Sequence, residues 1–428
     1  MVRGGRENRH EGIAMLNKTI CQIDSGLFDS WAHRLTSEYE RVMYFRPDPP
    51  REVHPDDHSI GDGYEKIDGV ERILDFWDRL EEIDTFFFSD INLWHWANHL
   101  RDDLGRPVWS AFNAEELEVD REVFKLVCAK VGLPVNPYKI ITGMDDLRKY
   151  LNDHEDQIVK VSRVRGLTET FPAREPLIVD LKLDQIQADL GAKKRTQEFF
   201  VEQAIDDAIT EDGYDGYNIL GRFPKIATFG TEVKNDAYAM RVCPYSALPK
   251  EVRETNDKLA PELKKYRYQQ FWHTEIKKTP KTFYPIDITT RCASPSGECL
   301  QMLYKNLGPI IEAGSHGEFE EPDYAAKYAV QCSIVAHRAD QKSVPVQIPD
   351  KVRPWVKLFG TYYDKEVKCD FVVPVGDDDD EIGTIVGIGS SIAEAKKRVA
   401  EYADAIKNSE IKVKLESLDD AEKELAKT

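Results

Sequence analysis

Short apolar runs and stretches with helical spacing alternate along the first quarter of the chain. The runs predict buried strands over residues 19–23, 42–45, 85–88 and 107–111. Apolar residues recur with the helical period over residues 27–39, 70–80 and 93–104. Alternation of strand and helix is typical of a small parallel sheet with helices on both faces. Residues 17–114 are therefore predicted to form a Rossmann-like domain behind a polar tail, residues 1–16.

The middle of the chain predicts a two-lobed unit. Residues 115–205 open with a helix that stops at Gly132 and Pro134, and then form an α+β lobe with strands over residues 138–142, 157–162 and 198–203. Residues 206–345 are strand-rich, with strands over residues 217–220, 225–229, 238–242, 270–277 and 283–289. Later helices are expected over residues 299–307 and 324–336, and residues 346–428 predict a small α+β segment with its tail. The fold class is thus α/β and α+β, in several domains.

Composition excludes several kinds of function. The formal net charge of the 428 residues is −19, without a strong basic patch, so nucleic acid is not expected as a partner. No stretch approaches the roughly 18 apolar residues of a membrane span, and a cytoplasmic protein without a membrane partner is predicted. The seven cysteines form no CxxC pair and are interpreted as reduced, mostly packing residues.

Lys160 is the first candidate for chemistry, because it interrupts the apolar strand 157–162. A lysine at mid-strand is costly to bury unless it meets an anion. The loop that follows carries Arg165 and Gly166, a pattern that could cover phosphates. About 40 residues later, the strand 198–203 offers the carboxylate of Glu202, which could mark a nucleotide. Each of these signals is weak alone, since both patterns also occur in ordinary strands.

Two acidic strands form the second candidate. Asp287, Thr289 and Arg291 alternate along the strand, so they are predicted to share one face, and Glu275 could lie across from them. Carboxylates and a hydroxyl suit Mg²⁺ with a phosphoryl group in transfer. The alternative interpretation is a polar strand facing solvent.

The order of these segments resembles that of ATP-grasp enzymes, and four places resemble phosphoribosylamine–glycine ligase, or glycinamide ribonucleotide synthetase. These are residues 118–125 followed by Gly132-Leu133-Pro134, residues 232–236, residues 287–295, and residues 383–387 followed by 391–395. The third place is similar to the family pattern Glu-x-Asn-x-Arg-x-Gly-Asp-Pro. Together these motifs span roughly residues 18 to 406.

The resemblance implies an N-terminal pre-ATP-grasp domain, a two-lobed ATP-grasp domain and an amide-forming, ADP-forming ligase acting through an acyl phosphate. It implies ATP and Mg²⁺, with Mn²⁺ as an alternative metal, and a small carboxylate and amine as substrates of a monomer or homodimer. The implied nucleotide residues are Lys125, Lys160, Arg165, Gly166, Glu202, Gln203 and Ile205. The implied metal ligands are Glu275, Asp287 and Thr289, the substrate residues are Lys234, Asp236, Arg291 and Ser294, and the catalytic pair is Arg291 with Lys160.

Departures from the family pattern keep other functions open. Asp287 and Thr289 stand where the family has Glu and Asn, and Ser294 stands where it has Asp. The family's purine-biosynthesis reaction with phosphoribosylamine is therefore one expectation among several. Family members of this divergent kind include phage-encoded ones, for which the host cytoplasm is the expected location. The alternatives are an ATP-grasp-shaped nucleotide-binding protein that does not ligate, and a structural or interaction protein with an acidic surface.

Overall fold

The computed structural model of the chain describes residues 15–47, 58–161, 170–233, 236–336, 343–373, 380–406 and 411–427. The first described unit is a five-stranded sheet in which every pair of neighbouring strands is parallel, in the order β3-β2-β1-β4-β5. Its elements are β1 (Leu16–Ile23), α1 (Asp29–Leu35), β2 (Tyr39–Phe45), β3 (Val70–Ile73), β4 (Thr85–Phe88), α2 (Trp94–Asn98) and β5 (Val108–Trp109). The parallel sheet predicted from the alternating pattern is confirmed.

One predicted helix in this unit is wrong. Residues 70–80 form the edge strand β3 and then a short 3₁₀-helix, Trp77–Glu82. Val70 lies opposite Val42 on β2, and both Val70 and Ile73 are buried. Branched side chains pack well on a sheet, so pairing with β2 prevails over the local helical spacing.

The second unit is a four-stranded antiparallel sheet in the order β6-β9-β7-β8. Its elements are α3 (Glu116–Val119), α4 (Arg121–Lys130), β6 (Tyr138–Thr142), α5 (Met144–Asp153), β7 (Gln157–Val161), β8 (Thr170–Ala173), α6 (Pro176–Leu190) and β9 (Glu198–Gln203). Alternate residues of β7 and β9, such as Val159 and Val201, pack in one apolar core with Leu183 and Ile186 of α6. The opposite face of the same strands carries Lys160 and Glu202, because successive side chains of a strand point to opposite faces.

The third unit is a nine-stranded sheet that carries the metal-site candidates. Its order is β14-β13-β10-β11-β12-β15-β20-β17, with β21 paired to β15. Its first elements are β10 (Thr210–Ile219), β11 (Ile226–Val233), β12 (Ala237–Pro244), α7 (Lys250–Lys265), β13 (Gln269–Lys278), β14 (Phe283–Thr289), α8 (Gly297–Leu303), α9 (Leu307–Ser315) and β15 (Tyr328–Ala336).

The helix predicted over residues 324–336 is wrong, since β15 occupies the interior of the large sheet between β12 and β20. Six consecutive residues of this strand, from Ala329 to Ile334, are buried. Gln331 and Ser333 interrupt its apolar residues two positions apart, a spacing that fits a strand better than a helix. Pairing on both edges decides the outcome.

The remaining elements extend this sheet and cover it. They are β16 (Val344–Val346), β17 (Val356–Leu358), β18 (Thr361–Asp364), β19 (Cys369–Val372), β20 (Asp380–Gly389), α10 (Ile392–Ala403), β21 (Ile411–Val413) and α11 (Leu418–Ala426). Strands β16, β19 and β18 form a separate small sheet. Because β17, β20 and β21 join the sheet that starts at β10, the predicted segments 206–345 and 346–428 share one sheet. The predicted domain boundaries stay a prediction.

Two further findings concern membrane-spanning helices and disulfide bonds. Within the described ranges, no helix is both long and apolar enough to cross a membrane. All seven cysteines are free thiols, and all except Cys243 are buried. This agrees with their interpretation as packing residues.

Candidate functional site

Two buried lysines and one buried glutamate meet where α4 and the small sheet approach β14. Lys125 on α4 places its Nζ 2.7 Å from Oε1 of Glu202 and 3.1 Å from the carbonyl oxygen of Pro285. The Nζ of Lys160 on β7 lies 3.3 Å from the other carboxylate oxygen, Oε2. All three charged side chains are at most 4% exposed. The mid-strand lysine thus meets an anion, as its burial requires.

Local rules bring these side chains together. On the small sheet, Ile158 pairs with Glu202 and Lys160 pairs with Phe200, so Lys160 and Glu202 are diagonal neighbours on one face. Helix α4 is capped by Asp120, whose carboxylate accepts hydrogen bonds from the backbone N–H groups of Glu122 and Val123 at 3.1 and 3.3 Å. The cap fixes where the helix begins, and therefore which of its residues face the sheet.

Arg121 continues this arrangement toward β14. It stands one helical turn before Lys125, and residues four apart lie on one face of a helix. Its guanidinium forms an ion pair with the carboxylate of Asp287, and Lys160 lies 3.9 Å from the same carboxylate. Three cations therefore contact two carboxylates in a region that also receives the carbonyl oxygen of Ile286, 3.4 Å from the Nζ of Lys160.

The charges in this cluster hold both acids ionised. Burial raises the pKa of Glu202, but the ammonium groups of Lys160 and Lys125 outweigh it, and the pKa falls below its ordinary value. Burial likewise opposes ionisation of Asp287, while Arg121 and then Lys160 bring the net pKa below the ordinary value. The two carboxylates therefore balance two of the three cations that contact them.

The predicted metal ligands face one another across β13 and β14. Glu275 pairs directly with Asp287, and His273 pairs with Thr289, so all four side chains share one face of the large sheet. A bulge between Glu275 and Ile276 sets this register. No group of three or more His, Cys, Asp or Glu in the described ranges is arranged to hold a metal ion. Two carboxylates fit Mg²⁺ only if substrate oxygens and water complete its coordination, which is the usual arrangement for this ion.

Arg291 takes a different position from the one that strand alternation predicted. Strand β14 ends at Thr289, so the alternation that was to place Arg291 beside Asp287 stops before it. The Nε of Arg291 lies 3.1 Å from Oε1 of Glu118 and 3.5 Å from Oδ1 of Asp90. The other oxygen of Glu118 accepts a hydrogen bond from the backbone N–H of Thr290 at 2.7 Å. Arg291 therefore joins β14 to the first sheet and to α3, and its catalytic role stays a prediction.

A buried polar network, absent from the sequence-based prediction, lies beside the metal candidates. The Nδ1 of His273 is 2.9 Å from Oδ1 of Asp215 and 3.2 Å from Oγ of Ser296. The hydroxyl of Tyr238 donates to the other oxygen of Asp215, and Gly230 has no side chain to obstruct that hydroxyl. A Cβ at Gly230 would lie 2.2 Å from it. The network links β13, β10 and β12 across the face of the sheet.

The remaining predicted residues are divided between two places and the undescribed ranges. Asp236 and Ser294 line one cavity, and Asp236 also forms an ion pair with Lys414. At the end of β9, Gln203 is exposed and Ile205 half-buried. The side-chain nitrogen of Gln203 lies 3.2 Å from the backbone oxygen of Asp156. Predicted residues outside the described ranges are Arg165, Gly166 and Lys234.

Two site residues could have been found in the sequence. Arg121 stands four residues before Lys125, a spacing that places both on one helix face. His273 stands two residues before Glu275, so it must share the face of that carboxylate once the strand is assigned. Glu118 and Asp90 gave no such signal, because each is distant in sequence from its partner Arg291.

The chain has the mixed α/β fold of the ATP-grasp enzymes. In this chain the fold comprises the parallel first sheet, the small antiparallel sheet carrying Lys160 and Glu202, and the large antiparallel sheet carrying Glu275 and Asp287. Structural similarity carries the assignment. No protein-family model matches the sequence, and the comparison with curated proteins finds no match.

Three solved structures illustrate the likeness. Phosphoribosylamine–glycine ligase from Thermotoga maritima has a TM-score of 0.67 at 13% identity, over 92% of this chain and 98% of that one. The biotin carboxylase domain of 2-oxoglutarate carboxylase from Hydrogenobacter thermophilus, in complex with Mg-ADP, ADP and bicarbonate, has a TM-score of 0.62 at 13% identity, over 95% and 93%. N5-carboxyaminoimidazole synthetase from Staphylococcus aureus, complexed with ADP, has a TM-score of 0.59 at 12% identity, over 91% and 98%. Identities this low establish the fold alone.

Proposed function

We propose that this chain is an ATP-dependent ligase that joins a carboxylate to an amine through an acyl phosphate. The observation that carries the proposal is the cluster of Arg121, Lys125 and Lys160, which lies between the small sheet and the acidic strand β14. Buried cations beside a carboxylate pair are what phosphoryl transfer requires, because catalysis there is mainly positioning and charge neutralisation. Two structural neighbours contain ADP, which supports nucleotide as the ligand of this fold.

Each residue of the cluster has a proposed role that follows from its position. Lys125 and Lys160 hold the α and β phosphates. Arg121, which forms an ion pair with Asp287, contacts the phosphoryl group in transfer. Glu202 holds both lysines in position through its two ion pairs. It also lies on the side of the site where the ribose and base bind, with Gln203 and Ile205 beside it. Glu275, Asp287 and Thr289 would hold Mg²⁺, which supplies charge neutralisation of the phosphates.

The reaction balances without an external oxidant or reductant. An oxygen of the substrate carboxylate bonds to the γ-phosphorus while the bond to the bridging oxygen of ADP breaks. The amine nitrogen then attacks the acyl carbon, phosphate leaves, and the nitrogen gives up a proton. In this proposal Arg291, whose Nε lies 3.1 Å from Glu118, steadies the incoming carboxylate. Asp236 and Ser294, which line one cavity, are the proposed substrate-side residues.

ADP release tests the proposal. Full-length protein with Mg-ATP is screened against pairs of carboxylates and amines, including glycine with phosphoribosylamine as the pair that the resemblance to purine biosynthesis suggests. The matched variants are Lys160→Met, which removes the buried ammonium, and Lys225→Met, which removes a lysine whose side chain is 87% exposed. We expect a pair that stimulates ADP release in the wild type and in Lys225→Met, with loss in Lys160→Met. Equal release from both variants would remove Lys160 from the site.

One observation favours a second function, nucleotide binding without ligation. The carboxylate of Asp287, the central metal candidate, already pairs with Arg121. If that pair persists when nucleotide binds, Mg²⁺ loses a ligand. ATP binding that Mg²⁺ does not strengthen, together with no ADP release across the panel, would favour this function over the ligase.

A further inference from the structure

Asp287, the central metal candidate on β14, is surrounded by hydrogen-bond donors and positive charge. Its Oδ1 forms an ion pair with Arg121 on α4 and accepts a hydrogen bond from the backbone N–H of Ile288 at 2.9 Å. Its Oδ2 lies 3.9 Å from the Nζ of Lys160. A carboxylate oxygen has two lone-pair positions, and donors occupy both positions of Oδ1. A metal ion can therefore use Oδ1 only if Arg121 leaves it.

The charge of the whole cluster also opposes a metal ion that binds alone. Its three cations contact two carboxylates, those of Glu202 and Asp287, and this leaves one net positive charge. The carboxylate of Glu275 on the facing strand balances that charge. A divalent cation thus meets a nearly neutral region and gains little attraction there. The phosphates of a nucleotide would make the same region negative, and a metal ion would then be attracted.

Arg121 is placed to change its partner. Both lysines of the cluster are held by the buried Glu202 and by backbone carbonyl oxygens of β14. Arg121 instead contacts Asp287, whose side chain is 30% exposed and within reach of a ligand. It is the first residue of α4, where the Asp120 cap fixes the backbone while the long side chain can turn about several bonds. Its planar guanidinium matches carboxylate and phosphate alike, so phosphate can replace Asp287 without a movement of the helix.

We propose that Arg121 exchanges partners when nucleotide binds. It holds Asp287 in the nucleotide-free protein and moves to a phosphate group in the complex, which releases Asp287 to the metal ion. The inference rests on the proposed function, because it takes the cluster as the phosphate site. The coupling is reciprocal: a metal ion on Asp287 also makes Arg121 available to phosphate. Without metal, Asp287 competes with the nucleotide for Arg121.

Isothermal titration with ATP in the presence of EDTA measures this competition. Wild type, Asp287→Asn, Arg121→Met and the double variant are compared as full-length proteins. Lys225→Met is the control, because its lysine is 87% exposed, and it should match the wild type. We expect Asp287→Asn to bind metal-free ATP about fivefold or more tighter than the wild type, since its neutral amide no longer retains Arg121 by charge. Arg121→Met should bind about tenfold weaker.

The double variant separates partner exchange from a simple effect of charge. Loss of the Asp287 carboxylate reduces the repulsion of phosphate whether or not Arg121 is present, so a through-space effect would be equal in both backgrounds. Exchange requires Arg121, so the double variant should bind ATP as weakly as Arg121→Met, within about twofold. An undiminished gain in the double variant, or no gain in Asp287→Asn, would overturn the proposal. Arg121→Gln takes the place of Arg121→Met if circular dichroism shows that the latter does not fold.

Mn²⁺ binding without nucleotide tests the metal side of the exchange. The unbound ion is followed by electron paramagnetic resonance in wild type, Arg121→Met and the double variant. We expect Arg121→Met to bind Mn²⁺ about fivefold or more tighter than the wild type, and this gain to disappear in the double variant, which lacks the released carboxylate. Equal Mn²⁺ affinity in wild type and Arg121→Met would contradict the exchange.

None of these measurements involves turnover, so the two proposals can fail separately. The expected pattern of ATP and Mn²⁺ affinities, together with no ADP release across the substrate panel, would overturn the ligase proposal and leave the exchange intact. ADP release without that pattern would overturn the exchange and leave the ligase intact. No ATP binding by any of the proteins would overturn both.

Discussion

Replacing Lys160 with methionine removes one of the two ammonium groups that hold the buried carboxylate of Glu202, while it keeps most of the side-chain volume. Removing the sole partner of a buried ion costs about 3–5 kcal/mol. Glu202 retains Lys125 at 2.7 Å, so we expect the free energy of unfolding to fall by about 1–3 kcal/mol at pH 7. A charge-assisted contact is worth about 1.5–3 kcal/mol, so the Kd for ATP should rise about 10- to 150-fold.

The loss of stability should depend on pH with a definite sign. Burial raises the pKa of Glu202, but Lys160 and Lys125 lower it further, so the folded-state pKa lies below the ordinary value. A carboxylate of this kind adds stability above its unfolded pKa of about 4.3, and that stability is lost as the pH falls through the folded-state pKa. The deficit of Lys160→Met should therefore be largest near neutral pH and shrink as Glu202 becomes protonated.

Urea unfolding of wild type, Lys160→Met and Lys225→Met, followed by circular dichroism across about pH 3 to 7, measures this difference. Isothermal titration with ATP on the same samples measures the affinity. Lys225→Met should match the wild type in both experiments, because surface substitutions of this kind change stability little. A deficit of equal size at every pH, or an equal deficit in Lys225→Met, would refute the assignment of the effect to the ion pair with Glu202.

Three other predictions concern the metal, the sheet face and a buried acid. Asp287→Asn should raise the Mg²⁺ concentration for half-maximal ADP release about tenfold or more, and an unchanged Mg²⁺ titration would contradict its role as a ligand. Gly230→Ala should lower the free energy of unfolding by about 1–3 kcal/mol in urea, because its Cβ would lie 2.2 Å from the hydroxyl of Tyr238; an unchanged midpoint would mean that this ring moves freely. Burial raises the pKa of Glu298 to about 7, so this group costs stability that grows as the pH rises from its unfolded pKa of about 4.3 and is complete above about 7. Glu298→Gln should therefore gain up to about 3 kcal/mol at pH 8 and nothing near pH 4, and a gain independent of pH would exclude ionisation as the cause.

Local pattern determined the strands that carry the site. The predicted bounds of β6, β9 and β14 coincide with those in the structure. Alternation along β7 and β9 placed Lys160 and Glu202 opposite the apolar core face, since the direction of a side chain on a strand depends only on its position in that strand. The same rule placed Glu275 across from Asp287, although the bulge after Glu275 could not be seen in the sequence.

Tertiary structure decided the contacts between distant segments. Arg121 and Asp287 are 166 residues apart, and nothing local to either one indicates that they pair. In the sequence, Arg291 continues the alternating pattern of β14, but in the structure β14 ends at Thr289. The partners of Arg291 are Glu118 on α3 and Asp90 in the loop after β4.

Sequence alone thus determined the strand pattern, the order of the candidate residues and their resemblance to ATP-grasp enzymes. The helix that it predicted over residues 324–336 was wrong, because the pairing of residues 328–336 with β12 and β20 cannot be seen in the sequence. It also could not reveal the cavity beside Gln331, whose lining comes from four separate strands and two loops. Burial, pairing and charge balance in such places depend on which surfaces meet, and that is fixed only when the sheets pack.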